Sequence, residues 1–171
     1  MPLKRQLLKY QQDINEYVQS LISSPRLGKQ VVFHKLLSAR APVYGNPRKP
    51  WPPEIEKILK ARGIGALYRH QIEAINLVRS GRHVVVSTPT ASGKTFIYNL
   101  PVIEQFLENA SSNALYLFPL KALAQDQLRA FNEMAGILGK FPPAAAIYDG
   151  DTSAWQRKKI RIQPPNVIIT N

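Results

Sequence analysis

The residues that could do chemistry are concentrated in one octet of the 171-residue sequence, Thr88-Pro89-Thr90-Ala91-Ser92-Gly93-Lys94-Thr95. Small residues at 90–93 let backbone N–H groups curl around a phosphate, and a helix starting at Lys94 adds the positive end of its dipole. Lys94 can place an ammonium on the β- and γ-phosphates of a nucleotide, and the Thr95 hydroxyl can ligate Mg²⁺. The octet departs from the general G-x-x-x-x-G-K-[ST] pattern because Thr88 stands where the first glycine is expected. An ordinary glycine turn would not call for a Lys and a Thr at the first two helical positions. His34, His70 and His83 lack metal-ligand spacing and read as packing or hydrogen-bonding residues. The absence of cysteine excludes disulfides, thiolate zinc sites and a cysteine nucleophile within these residues.

Such a loop works only between a strand and a helix, and the flanking sequence predicts both. His83–Thr88 is a β-branched run, and residues 94–109 are helical in composition, with Pro101 a candidate kink. Apolar runs at 114–118, 144–148 and 167–170 predict three further strands. Helices are predicted at 70–80, ending at Gly81, and from about Lys121 to Leu138; Ser153 and Gln156 have capping-box spacing at the start of a short basic helix. Short apolar strands alternating with helices predict right-handed βαβ units: an α/β domain with a parallel sheet covered on both faces.

Upstream, Leu3, Leu7, Tyr10, Ile14, Tyr17, Val18, Leu21 and Ile22 recur at three- and four-residue steps, the stripe of an amphipathic core helix that Pro25 ends. Five prolines within residues 42–53 mark an extended connector. A short helix follows, with Pro53 in its first turn, Ile55, Ile58 and Leu59 on one face and Gly63 as its stop. Residues 1–52 are accordingly assigned to a helical, Pro-rich N-terminal region and 53–171 to the domain holding the octet. Trp51 and Trp155 are expected to anchor packing.

Lys and Arg number 23 against 11 Asp and Glu, a formal charge of +12. Residues 1–62 carry +8 of it and residues 63–171 carry +4. Such a balance attracts polyanions, nucleic acid first among them. Arg157-Lys158-Lys159-Ile160-Arg161 is most simply a solvated basic face. No apolar run approaches the length of a bilayer span, and the N-terminus is not a secretory signal, so no membrane partner and a cytoplasmic location are expected.

TPTASGKT resembles motif I of the superfamily 2 helicases, in which the first glycine is often replaced. Three further segments fit that resemblance in order. Leu67-Tyr68-Arg69-His70-Gln71 resembles the Q-motif region, where a glutamine amide reads the adenine edge; Gln71, 23 residues before Lys94, has the donor and acceptor for it. Pro119-Leu120-Lys121-Ala122-Leu123-Ala124-Gln125-Asp126-Gln127 resembles motif Ia, which implies nucleic-acid contacts at Pro119, Lys121 and Gln125. Asp149-Gly150-Asp151-Thr152 resembles the small motif preceding motif Ib, and Thr170-Asn171 the start of motif Ib itself, implying strand contacts at Gly150, Thr152 and Thr170; a bare D-G turn is the competing reading. With LYRHQIEAI, the stretch TPTASGKTFIYNLPVIE is most similar to the YprA-like branch of the DEAD/DEAH-box helicases, whose members resemble RecQ-like DNA helicases and act in DNA repair.

The resemblance implies a partial RecA-like P-loop domain with ATP and Mg²⁺ as cofactors. Residues 88–95 with Gln71 would hold the nucleotide, and Lys94 and Thr95 would be catalytic. The partner would be nucleic acid, DNA in preference to RNA. No D-E-x-H segment precedes Asn171, so the sequence reads as the N-terminal part of a longer helicase, inactive alone. Three other readings stay open: a duplex translocase that does not separate strands, a non-enzymatic nucleic-acid-binding module, and an unrelated P-loop kinase, for which a motif Ia segment has no use.

Overall fold

The spacing of apolar residues is realised as helices and parallel strands in the computed structural model, which describes residues 14–39, 41–89 and 92–171. The chain divides into two compact units, Met1–Ala41 and Pro42–Asn171.

In the first unit, residues 14–23 form a helix (α1), followed by a turn at 25–27 and a single 3-10 turn at Gly28–Gln30. Leu3, Leu7 and Tyr10 of the predicted stripe lie outside the described residues. The rest of that stripe is not a core stripe: Ile14 and Tyr17 are 62% and 63% exposed, and no described residue of this unit is buried. A stripe at helical spacing predicts the helix, but burial also requires a facing surface, which the described residues of this unit do not supply.

The second unit builds on five helices: α2 (Pro53–Ala61), α3 (Arg69–Arg79), α4 (Lys94–Glu108), α5 (Lys121–Gly136) and α6 (Ala154–Ile162). Pro53 occupies the first turn of α2, which buries Ile55, Ile58 and Leu59, and Gly63 takes the left-handed conformation (φ 68°) just beyond it, as the sequence predicts. Strands β1 (Ala114–Leu117), β2 (Ala145–Ile147) and β3 (Val167–Thr170) form a fully parallel sheet in the order β1-β3-β2, with Ala114 and Ala145 both opposite Val167. Because β3 enters between its predecessors, the crossover through α5 runs one way across the sheet and that through α6 runs back. Right-handed crossovers then put the two helices on opposite faces. The core is continuous from Ile55 and Ile58 through Ile75, Leu100 and Ile103 to Phe131, Met134, Val167 and Ile169.

One predicted strand is not a strand. Residues 82–89 carry no ladder, and Val85 is 97% exposed. β-branched composition favours extended backbone, but a ladder requires another strand about 4.8 Å away. Instead, Val84 and Val86 line an apolar cleft of about 550 Å³ together with Ala114 of β1 and Ile97, Pro101 and Val102 of α4.

The Pro-rich connector is part of this unit. Gly45 N–H donates to Leu67 O (3.1 Å) and Arg69 N–H to Val43 O (2.8 Å), around an antiparallel bridge between Tyr44 and Tyr68. Trp51 anchors packing as expected, with the Arg79 guanidinium 4.1 Å from its ring centre. Trp155 does not: its side chain is 70% exposed.

Candidate nucleotide site and nucleic-acid surface

Ser92 and Gly93 lead into α4, with Thr88 and Pro89 beside its first residue. Thr90 and Ala91 lie outside the described residues. Thr88, Pro89 and Ser92 surround the Lys94 ammonium, which donates to Thr88 O (2.9 Å), Pro89 O (2.8 Å), Thr88 Oγ1 (3.2 Å) and Ser92 Oγ (3.3 Å). Thr88 Oγ1 and Ser92 Oγ are themselves 2.6 Å apart in a hydrogen bond. All these partners are carbonyls and hydroxyls. Among the described residues no carboxylate pairs with Lys94, so its charge is solvated by dipoles and remains available to an anion. Thr95 follows at the second position of α4. Among the described residues no cluster of three or more His, Asp or Glu could hold a metal ion. The Thr95 hydroxyl is a single oxygen ligand, which suits a divalent cation that arrives with phosphate oxygens and water as its remaining ligands.

Gly93, the N-cap of α4, has φ 74°, and a Cβ on it would stand 2.3 Å from Gln71 Nε2. Conformation and space therefore both demand glycine there. The neighbour that fills the space is Gln71, itself only 3% exposed. Its Nε2 donates to Gly93 O (2.9 Å) and Ser92 O (3.4 Å), while its Oε1 accepts from Tyr68 N–H (2.8 Å) at the start of α3. One side chain thus ties the start of α3 to the turn before α4. His70 makes a second tie at 3.2 Å from Nε2 to Ser92 O; since a carbonyl only accepts, Nε2 carries the proton.

Beside these ties, Tyr44 and Tyr68 stack with ring centres 5.6 Å apart and planes 6° from parallel, and Tyr68 and His70 stack at 5.8 Å and 11°. Sequence reasoning passed over this aromatic column. Tyr44 lies in the Pro-rich connector, 27 residues from Gln71, and only the bridge to Tyr68 brings it there. The run Tyr68-x-His70-Gln71 was the available signal. From α4, Tyr98 Oη donates to Gln127 Oε1 (2.5 Å) of α5, so the helix that begins with Lys94 touches the helix that begins with Lys121. Burial pushes the Tyr98 phenol up, partly offset by the Thr95 side chain beside it.

The remaining candidates form a second group at the carboxyl ends of the strands. Lys121, the first residue of α5, pairs with Asp151 (2.7 Å), a contact that holds its ammonium above the usual lysine range. The Asp149–Thr152 turn is closed by Asp149 Oδ1, which accepts from Asp151 N–H (3.0 Å), Thr152 N–H (3.1 Å) and the Thr152 hydroxyl (3.1 Å). Gly150 lies close to Lys121; a Cβ there would be 3.8 Å from Nζ. Gln125 and Thr152 line one groove with Lys121. Thr170 ends β3 opposite Leu117, and Pro119 is exposed just after β1. The basic face of α6 needs one correction. Arg157 is half-buried and donates to Thr152 O (2.9 Å) and Asp149 O (2.7 Å), with its guanidinium 5.3 Å from the Tyr148 ring centre. Bare carbonyls at a turn attract a guanidinium fork more strongly than water keeps it solvated.

A turn of small residues on a helix N-terminus, backed by a parallel sheet whose strand ends carry a second polar cluster, is the arrangement of a RecA-like helicase core. The chain belongs to the DEAD/DEAH box helicase family, whose description matches residues 68–171. It is 45% identical over 127 residues to the uncharacterized ATP-dependent helicase YprA of Bacillus subtilis (72% of this chain, 17% of that protein) and 40% identical over 133 residues to the ATP-dependent helicase hrq1 of Schizosaccharomyces pombe (75% and 12%). The crystal structure of the DUF1998 helicase MrfA bound to DNA and AMPPNP superposes with a TM-score of 0.72 at 42% identity, over 77% of this chain and 18% of that one. The chain spans less than a fifth of the length of each. Among the described residues no helix is long and apolar enough to cross a membrane.

Proposed function

We propose that this chain is the nucleotide-gripping front part of an ATP-driven nucleic-acid helicase, acting on DNA in preference to RNA. The observation that carries the reading is Lys94, an ammonium ringed by dipoles and, among the described residues, paired with no carboxylate, at the N-terminus of a 15-residue helix. A triphosphate would draw that ammonium off the loop carbonyls onto its β- and γ-oxygens, while residues 90–93 would supply backbone N–H groups to the phosphates. Thr95 would hold Mg²⁺, which neutralises phosphate charge when bound. Gln71 would read adenine by exchanging bonds now made within the chain, and the Tyr44–Tyr68–His70 column would wall the base. Pro119, Lys121, Gln125, Gly150, Thr152 and Thr170 would hold the strand, phosphates first. Support for DNA comes from the relatives: MrfA has been crystallised with DNA and a nucleotide analogue.

Strand displacement tests this. The full-length protein should separate a partial DNA duplex only with ATP and Mg²⁺ together; chelating the metal or substituting Lys94→Ala should stop it. Turnover of ATP on DNA with no displacement on any duplex would leave a translocase and overturn the helicase reading.

A further inference from the structure

We propose that the exposed indole of Trp155 is a stacking platform for one base of single-stranded nucleic acid, extending the strand path from Lys121 and Thr152 onto α6. The inference rests on the nucleic-acid reading above and adds a contact to the base, where the other candidate contacts go to phosphates.

Trp155 is on the first turn of α6, a helix with no buried residue, and at 70% exposure it contributes little to packing. It lines a groove of about 750 Å³ with Lys121, Gln125, Thr152, Gln156 and Lys159. Ala145, Ala146 and Ile147 of β2 line the same groove, and among the described residues β2 pairs only with β3. The platform is held firmly from behind. Ser153 and Gln156 close a capping box beneath it, and Arg157 clamps the first turn of α6 to the carbonyls of Asp149 and Thr152. A ring presented by a rigid helix end loses little freedom on stacking.

The charge around the ring favours a polyanion. Lys159 Nζ lies 5.7 Å from the indole centre, and α6 carries Arg157, Lys158, Lys159 and Arg161 with no acid. The two aspartates on the groove are already engaged, Asp149 by the turn amides and Asp151 by Lys121. An aromatic face beside lysines is the combination that binds single strands without sequence preference: bases stack and cations track phosphates.

The test compares two probes that differ only in bases: a twelve-nucleotide oligo(dT) and an abasic strand with the same phosphates, both at low salt. With the full chain, oligo(dT) should quench tryptophan emission and the abasic strand should not. Trp155→Ala should abolish that quench and weaken oligo(dT) binding roughly 5- to 150-fold, the range for one lost base–aromatic stack, with abasic affinity unchanged within about twofold. Trp155→Phe should keep most of the affinity. Equal loss on both strands, or no loss on either, overturns the stack while leaving the nucleic-acid reading intact. Failure of the unsubstituted chain to bind either strand defeats both readings. Oligonucleotide binding untouched by Trp155→Ala, with self-association of the chain abolished, would assign this face to a protein contact instead.

Discussion

At Gly93 one added carbon would meet both a left-handed backbone and the Gln71 amide. Its φ of 74° and the 2.3 Å approach to Gln71 Nε2 leave an alanine no unstrained arrangement. Gly93→Ala should cost about 1–3 kcal/mol, seen as a melting temperature lower by several degrees, and should loosen α3 from the phosphate turn. Tyr116 gives a prediction in pH. It is buried, donates to Asn99 Oδ1 (2.9 Å), and burial pushes its phenol well above the ordinary 10.0. An unfolded chain releases that proton near pH 10 while the folded chain keeps it. Stability should therefore be intact below pH 10 and fall as pH rises above it, which alkaline titration followed by far-UV circular dichroism will show. At this scale the layout of the candidate site was partly legible. Ser92, Gly93, Lys94 and Thr95 mark the start of a helix by type and order, and Gln71 and Lys121 fall in the first turns of theirs. Tyr44 was illegible because its place depends on a long-range bridge, and Arg157 because a charged residue in a basic run gives no local sign of turning inward.

Helices α3 and α4 are joined by Arg79 and Glu104, a two-pronged pair at 2.8 and 2.7 Å whose side chains are 9% and 13% exposed. Arg79 also donates to Lys49 O (2.9 Å) and covers Trp51, so it gathers connector, α3 and α4 at one point. Glu104→Ala should destabilise by up to about 3 kcal/mol in chemical denaturation, because it strands a nearly buried guanidinium. The double variant Arg79→Met, Glu104→Leu should recover part of that loss. A smaller effect is expected at α6, where Ser153→Ala removes the hydroxyl accepting from Gln156 N–H and should cost about 0.5–2 kcal/mol. The helices of the second unit were readable because period and caps are local: Pro53, Gly63 and the Ser153–Gln156 box mark the ends found. Three of four predicted strands were readable as well. Residues 83–88 failed because a strand is a relation between two segments, and the sequence of one cannot show that its neighbour is in place. The stripe of α1 failed likewise: Tyr17 and Ile14 show a face, not what covers it.

Over the whole chain, the +12 charge sets how a polyanion would be held. Binding of the chain to single-stranded DNA should weaken linearly in a plot of log affinity against log salt. Lys121→Ala should make the slope shallower by about 0.7, one phosphate contact on a single strand. The proposed division of labour, Lys94 for nucleotide and Lys121 for strand, links the two clusters through α4 and α5, which meet at Tyr98 and Gln127. The most direct test is steady-state ATP turnover by the full-length protein, measured across single-stranded DNA concentrations with Lys94→Ala and Lys121→Ala beside the parent. The account predicts turnover strongly stimulated by DNA, abolished by Lys94→Ala, and shifted by Lys121→Ala to a higher half-maximal DNA concentration. Turnover that no DNA or RNA stimulates, or stimulation that survives Lys94→Ala, would contradict it.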